Sequence, residues 1–197
     1  DQIIFLDATE PFPFEDGSLD YVYAEHMIEH IPYPKALGML AEVGRVLKSG
    51  GRLRLATPDL QVVMSLLDQP QSPQARHYIE TYARKLLGLY SSQPNPYRQH
   101  EPDWNIDPEH IQTSFPDPGQ DAAAFIVNLL FYGFGHRFLY DLATLQAALV
   151  SSGYQDIRRY RPGQSDDPRL CGIERHGLRF DDESINQFET LVVEAVH

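Results

Sequence analysis

The chain has 197 residues, 42% of them apolar, enough to bury one sizeable core without demanding a second. Sixteen basic residues against 28 acidic ones leave a net charge of -12, a field that repels a phosphate backbone and disfavours nucleic acid as a partner. The single cysteine, Cys171, excludes an intramolecular disulfide framework; with no apolar run of bilayer length and no signal-peptide pattern, the chain reads as soluble and cytoplasmic, with no membrane partner.

The chain opens at Asp1 and runs straight into Ile3-Ile4-Phe5-Leu6, which reads as a strand entered in the middle of a fold, so an upstream piece is expected. A turn-rich stretch from Pro11 to Ser18 leads to a second strand, Leu19 to Ala24. From Glu25 the pattern is helical, with Met27, Ile28 and Ile31, until Pro32 and Pro34 stop it. The next helix places Leu37, Leu40, Val43 and Leu47 on one face and is expected to end at Gly50-Gly51, before a strand from Arg52 to Ala56. Strands alternating with helices over short links favour a parallel sheet covered on both faces. After Thr57-Pro58-Asp59 come helical patterns at 60 to 67 and 74 to 90, then a stretch with six prolines between Pro94 and Pro118, where regular structure is not expected. Residues 60 to 135 read as an insertion or lid within a single domain spanning 1 to 197. Helices near 121 to 132 and 141 to 152, the latter closed by Gly153, and strands near Gln155 to Tyr160 and Glu189 to Val196 complete the pattern.

The segments Phe5-Leu6-Asp7-Ala8, Pro11 to Val22, Glu29-His30 and Arg45 to Leu53 strongly resemble class I S-adenosylmethionine (SAM)-dependent methyltransferases of the methyltransferase-11 type. More weakly, Gly135 to Asp141, Glu174-Arg175-His176-Gly177 and Glu189 to Ala195 resemble the tail of an uncharacterised branch of these enzymes. The resemblance implies an α/β fold with a doubly wound, mostly parallel, Rossmann-like sheet in the order 3-2-1-4-5-7-6, truncated at its N-terminus. It implies SAM as cofactor and methyl transfer to an oxygen or nitrogen of a small polar molecule, sugar or glycan intermediates among the candidates. Asp7 would accept from the adenine amino group and Ala8 lie on the ring edge, while Ala24 and Glu25 would face the cofactor near the reaction centre. Asp7 has a second reading, as a turn former, and Ala24, Glu25 and His26 could each be ordinary helix-start residues. The chain departs from the family where it lacks the glycine-rich loop, its first glycine being Gly17, and the acidic residue that bonds the ribose. That departure keeps open a non-enzymatic alternative, a binding or scaffold module without the cofactor loop.

His26-Met27-Ile28-Glu29-His30 is a literal H-x-x-E-H, also the inverzincin protease signature, although Pro32 cuts the helix short. A metal-assisted branch of class I O-methyltransferases carries E-x-x-E-H at the corresponding place; here His26 replaces its first glutamate, and His136 is the candidate fourth ligand. The catalytic candidates are therefore His26, Glu29, His30 and His136, and the same four would hold a divalent ion in the metal reading. Without metal, the histidines act as a base or substrate contact, or merely cap and pack. His176 and the group Tyr97, Arg98 and His100 could reach the same pocket or be exposed loop residues, the latter reading being preferred, and Trp104 with the tyrosines reads as an aromatic substrate wall or, preferred, as an anchor of its irregular segment. The expected partner is a small-molecule substrate; the sequence is silent on oligomeric state.

Overall fold

Leu19–Glu25 (β1) and Leu47–Pro58 (β2) pair in parallel, which requires a crossover, and Tyr33–Val46 (α1) supplies it. Thr190–Val196 (β4) lies antiparallel beside β2, and Gln155–Tyr160 (β3) antiparallel beside β4, giving an open mixed sheet in the order β1-β2-β4-β3. That order reproduces the last four positions, 4-5-7-6, of the order implied by the resemblance; among the described strands, β1 and β2 are the parallel pair. The computed structural model describes residues 3–86, 113–114, 116–117 and 122–197. Among them, no helix is long and apolar enough to cross a membrane.

The described chain forms two compact units, one of Asp1–Asp59, Arg137–Glu174 and Thr190–His197, the other of Leu60–His136 and Arg175–Glu189. The first holds the sheet. Its apolar face carries Leu53 and Leu55 of β2 and Leu191, Val193 and Ala195 of β4, under α1 and Leu142–Ser151 (α4). In α1 the buried residues Ala36, Met39, Leu40 and Val43 recur at helical spacing, as the sequence pattern requires. Asp141 caps α4 by accepting from Thr144 N–H at 2.8 Å, and Gly153, at φ +93°, closes it. Tyr154 then donates to the Leu40 carbonyl at 2.9 Å, tying α4 to α1.

The opposite face of the sheet is charged. Arg54 is fully buried there, with Nε 2.7 Å from Glu174 Oε1 and Nη1 2.5 Å from Glu194 Oε1. Its Nη1 also donates to the Gln164 carbonyl at 3.0 Å, so the 161–174 segment is anchored to the sheet through a buried guanidinium.

Three expectations change. Residues 3–7 form no strand: Ile3 and Phe5 are 96% and 95% exposed, and a strand without a ladder partner has nothing to hold it. The first helix after β1 ends at Val46, ahead of Gly50-Gly51, which instead form an irregularity inside β2, with Gly50 at φ +78° and Gly51 too close to the Lys48 carbonyl for any Cβ. The helix near 121 to 132 is shorter and changes pitch, running as Ala123–Asn128 and continuing as a π turn over Leu129–Gly133.

In the second unit Leu60–Asp68 (α2) and Pro73–Lys85 (α3) form helices, the latter capped by Ser72, whose Oγ accepts from Ala75 N–H. A short helix at Glu183–Glu189 follows a 3₁₀ turn at His176–Arg179. Tyr97, Arg98, His100 and Trp104 lie outside the described residues.

Candidate active site

Where β1 ends, the chain turns sharply. His26 N–H still donates to the Ala56 carbonyl at 2.8 Å, prolonging the β1–β2 ladder, while its φ of +46° swings the backbone out of the sheet. A left-handed residue that is not glycine costs about 1–3 kcal/mol and persists where its surroundings over-determine it. A single 3₁₀ turn, Ile28–His30, follows, and Pro32 starts α1 by accepting from Lys35 and Ala36 N–H. The H-x-x-E-H string is therefore not an α-helical turn, and His26 stands outside the helix that the protease signature requires.

The turn brings Glu29 between the two histidines. Glu29 Oε1 is 3.4 Å from His26 Nδ1 and 4.0 Å from His30 Nε2, and Glu29 is fully buried. Its Oε2 accepts from the Thr57 hydroxyl at 2.9 Å, and its backbone carbonyl accepts from Arg137 and Phe138 N–H at 2.7 and 3.1 Å. Burial alone would raise the Glu29 pKa, but the neighbouring His26 imidazole, with the Thr57 hydroxyl, outweighs it and holds the carboxyl below its ordinary value. The group stays ionised, an acceptor that can orient an imidazole. His136 belongs to the other unit, where its Nδ1 contacts the Leu130 carbonyl.

Ala8 and Ala24, with Leu6 and Met27, line one apolar cavity of roughly 270 Å³ along β1, whose far edge carries no paired strand among the described residues. Phe12 and Phe14 close it from the Pro11–Ser18 loop, which two residues of α1 hold in place. Arg45 donates to the Phe12 and Phe14 carbonyls at 3.1 and 3.0 Å, and Glu42 accepts from Phe12 N–H at 2.7 Å. Asp7 accepts from Thr9 N–H and from the Thr9 hydroxyl, both at 2.8 Å, so its turn-forming role is realised in this structure. These bonds hold its carboxyl below the ordinary value. Glu25 ends β1 on the charged face, where burial first, and the Glu25 charge second, push the Tyr23 phenol well up.

Sequence reasoning missed a second polar cluster. His176 is not an exposed loop residue: its side chain is 12% exposed and its Nε2 lies 2.5 Å from Glu189 Oε1. The buried Glu189 also accepts from Tyr82 at 2.7 Å and from Tyr78. The pairing joins residues thirteen positions apart, across a turn and a helix, and no local pattern encodes it.

The methyltransferase domain family model matches residues 2–55, the stretch that contains β1, the His26 turn, α1 and most of β2. That stretch is similar to a methyltransferase domain. The chain is 33% identical over 75 residues to an uncharacterised 37.1 kDa protein of transposon TN4556 from Streptomyces fradiae, an alignment covering 38% of this chain and 21% of that protein. Among solved structures it is similar to a SAM-dependent methyltransferase from Archaeoglobus fulgidus, at 13% identity and a TM-score of 0.47 over 98% of this chain and 66% of that one. It is also similar to phosphoethanolamine N-methyltransferase 2 from Haemonchus contortus, at 14% identity and a TM-score of 0.40 over 96% and 36%. The chain thus spans less than two thirds of the length of each of these proteins.

Proposed function

We propose that this methyltransferase segment serves SAM-dependent transfer of a methyl group to an oxygen or nitrogen of a small polar acceptor, with sugars and glycan intermediates the acceptor class to test first. The observation that carries the reading is the His26–Glu29 pair at the C-terminal end of β1, inside the stretch matched by the family model and beside the cavity that Ala8 and Ala24 share. Ligands of open α/β sheets bind at such strand ends.

Asp7, Ala8, Ala24 and Glu25 are the residues that would hold SAM. The apolar walls at Ala8 and Ala24 suit the flat face of an adenine, and Asp7 stands next to Ala8 with an ionised carboxylate able to accept from an exocyclic amine. When bound, SAM supplies a methyl group activated by its sulfonium. The chain's own residues deal with the acceptor. His26, held through Nδ1 by Glu29, takes the proton from the acceptor hydroxyl or amine at Nε2, so that a neutral product is formed, and the ionised Glu29 stabilises the imidazolium. His30, with its side chain 40% exposed, is placed to contact the acceptor.

No step uses a metal. Among the described residues of the first unit, Glu29 Oε1 lies near both His26 and His30, and Oε2 accepts from Thr57. His136, the fourth candidate, keeps a catalytic assignment only as a proposal to be tested by substitution. Calorimetric titration of S-adenosylhomocysteine into wild type and Ala24→Leu tests the reading: binding by wild type that the bulky side chain abolishes supports it, and no binding by either favours the scaffold alternative.

A further inference from the structure

We propose that Thr57 is a positioning residue for His26, acting through Glu29. The inference rests on the methyl-transfer reading for its role, but its geometry is independent of it. Thr57 is fully buried in β2, two residues before Asp59, and sits in the β2–β4 ladder opposite Leu191. Both its backbone and, as a β-branched residue, its χ1 angle are restricted. A fixed hydroxyl has one proton to give, and Thr57 gives it to Glu29 Oε2 at 2.9 Å.

Glu29 is clamped at its backbone by the Arg137 and Phe138 amides. With the backbone carbonyl held at one end and Oε2 at the other, Oε1 stands 3.4 Å from His26 Nδ1 and 4.0 Å from His30 Nε2, nearer to His26. A carboxylate facing Nδ1 favours the tautomer with the proton on Nδ1, which leaves the Nε2 lone pair to accept a proton. His26 itself has little backbone freedom, since its N–H is tied to Ala56 and its φ is left-handed. The relay thus runs from a rigid strand hydroxyl through a buried carboxylate to the base. Glu29 without Thr57 would still be buried and charged, but one donor short and free to turn.

The test compares Thr57→Val, which keeps the shape and removes the donor, with Thr57→Ser, which keeps the donor. The first readout needs no substrate: the ¹⁵N imidazole signals of His26, assigned by loss in His26→Asn. The second is the rate of S-adenosylhomocysteine release from SAM with methyl glycosides as acceptor probes. We expect Thr57→Val to shift His26 from the Nδ1–H tautomer to a mixture and to lower kcat roughly 10- to 100-fold with KM for SAM held. Thr57→Ser is expected to restore the wild-type tautomer and kcat to within about threefold. A His26 spectrum unchanged in Thr57→Val, or equal loss in both variants, overturns the relay. Should Thr57→Val fail to fold, Thr57→Ala with the same spectrum decides. If no methyl transfer is seen even for wild type, the activity reading fails while the imidazole spectrum still accepts or rejects the relay.

Discussion

Replacing Arg54 by methionine removes the cation from the charged face of the sheet while keeping much of the side chain's length. The guanidinium is fully buried, with Glu174 and Glu194 carboxylates at 2.5–2.7 Å whose side chains are only 2% and 3% exposed. In the variant, Glu194 retains Arg52 at 3.6 Å, and Glu174 retains the Gly163 amide at 2.9 Å but loses its cation. Breaking a buried ion pair by deleting one partner costs about 3–5 kcal/mol, because the surviving charge is left in a medium that cannot solvate it. For a chain of this size that corresponds to a fall in Tm of roughly 6–20 °C. Urea unfolding followed by circular dichroism measures it, with an unchanged m value showing that stability alone moved. Adding Glu174→Gln to Arg54→Met removes the buried charge that has lost its cation and should recover about 1–2 kcal/mol of the loss. A loss below about 1 kcal/mol, the size of an exposed surface pair, would refute the reasoning, as would a double variant less stable than the single one.

Two further outcomes follow from the site and from the buried phenols. His26→Asn should lower methyl transfer about 10²- to 10⁴-fold while leaving calorimetric binding of S-adenosylhomocysteine unchanged, because the imidazole handles a proton and not the cofactor. Tyr78 and Tyr82 are buried, and burial first, with the Glu189 charge second, raises both phenols well above their ordinary value. A phenol raised in the folded state contributes stability that is whole below the unfolded pKa of about 10 and is lost as pH rises beyond it. Unfolding midpoints in urea should therefore hold up to about pH 10 and then fall steeply. In Tyr82→Phe, measured in the same way, the alkaline slope should be shallower; an equal slope would contradict the assignment.

Much of the sheet was legible in the sequence because its signals are local. β1, β2, β3 and β4 each coincide with an apolar or alternating run, and α1 and α4 announce themselves by Pro34, Asp141 and Gly153. The errors share a cause. Ile3 to Leu6 has strand composition, but a strand is made by its neighbour, and none pairs with it among the described residues. Gly50-Gly51 looks like a helix cap in one dimension and turns out to be an irregularity within a ladder. The candidate site was half legible. The spacing of His26, Glu29 and His30 is visible, whereas the partner that holds Glu29, Thr57, lies 28 residues away and is joined only by the crossover geometry. The same holds for Glu42 and Arg45, which fix the loop carrying Phe12 and Phe14, and for Glu189 beneath His176. Short polar residues in strands and helices carry no periodic signature, so their contacts emerge only from the fold.

The most direct measurement is calorimetric titration of S-adenosylhomocysteine into the protein that carries this chain, beside an Ala24→Leu variant that fills the cavity shared by Ala8 and Ala24. Saturable one-to-one binding by wild type, lost in Ala24→Leu with folding intact, is the predicted result. No heat from wild type, or equal binding by both, would contradict a SAM site at the end of β1.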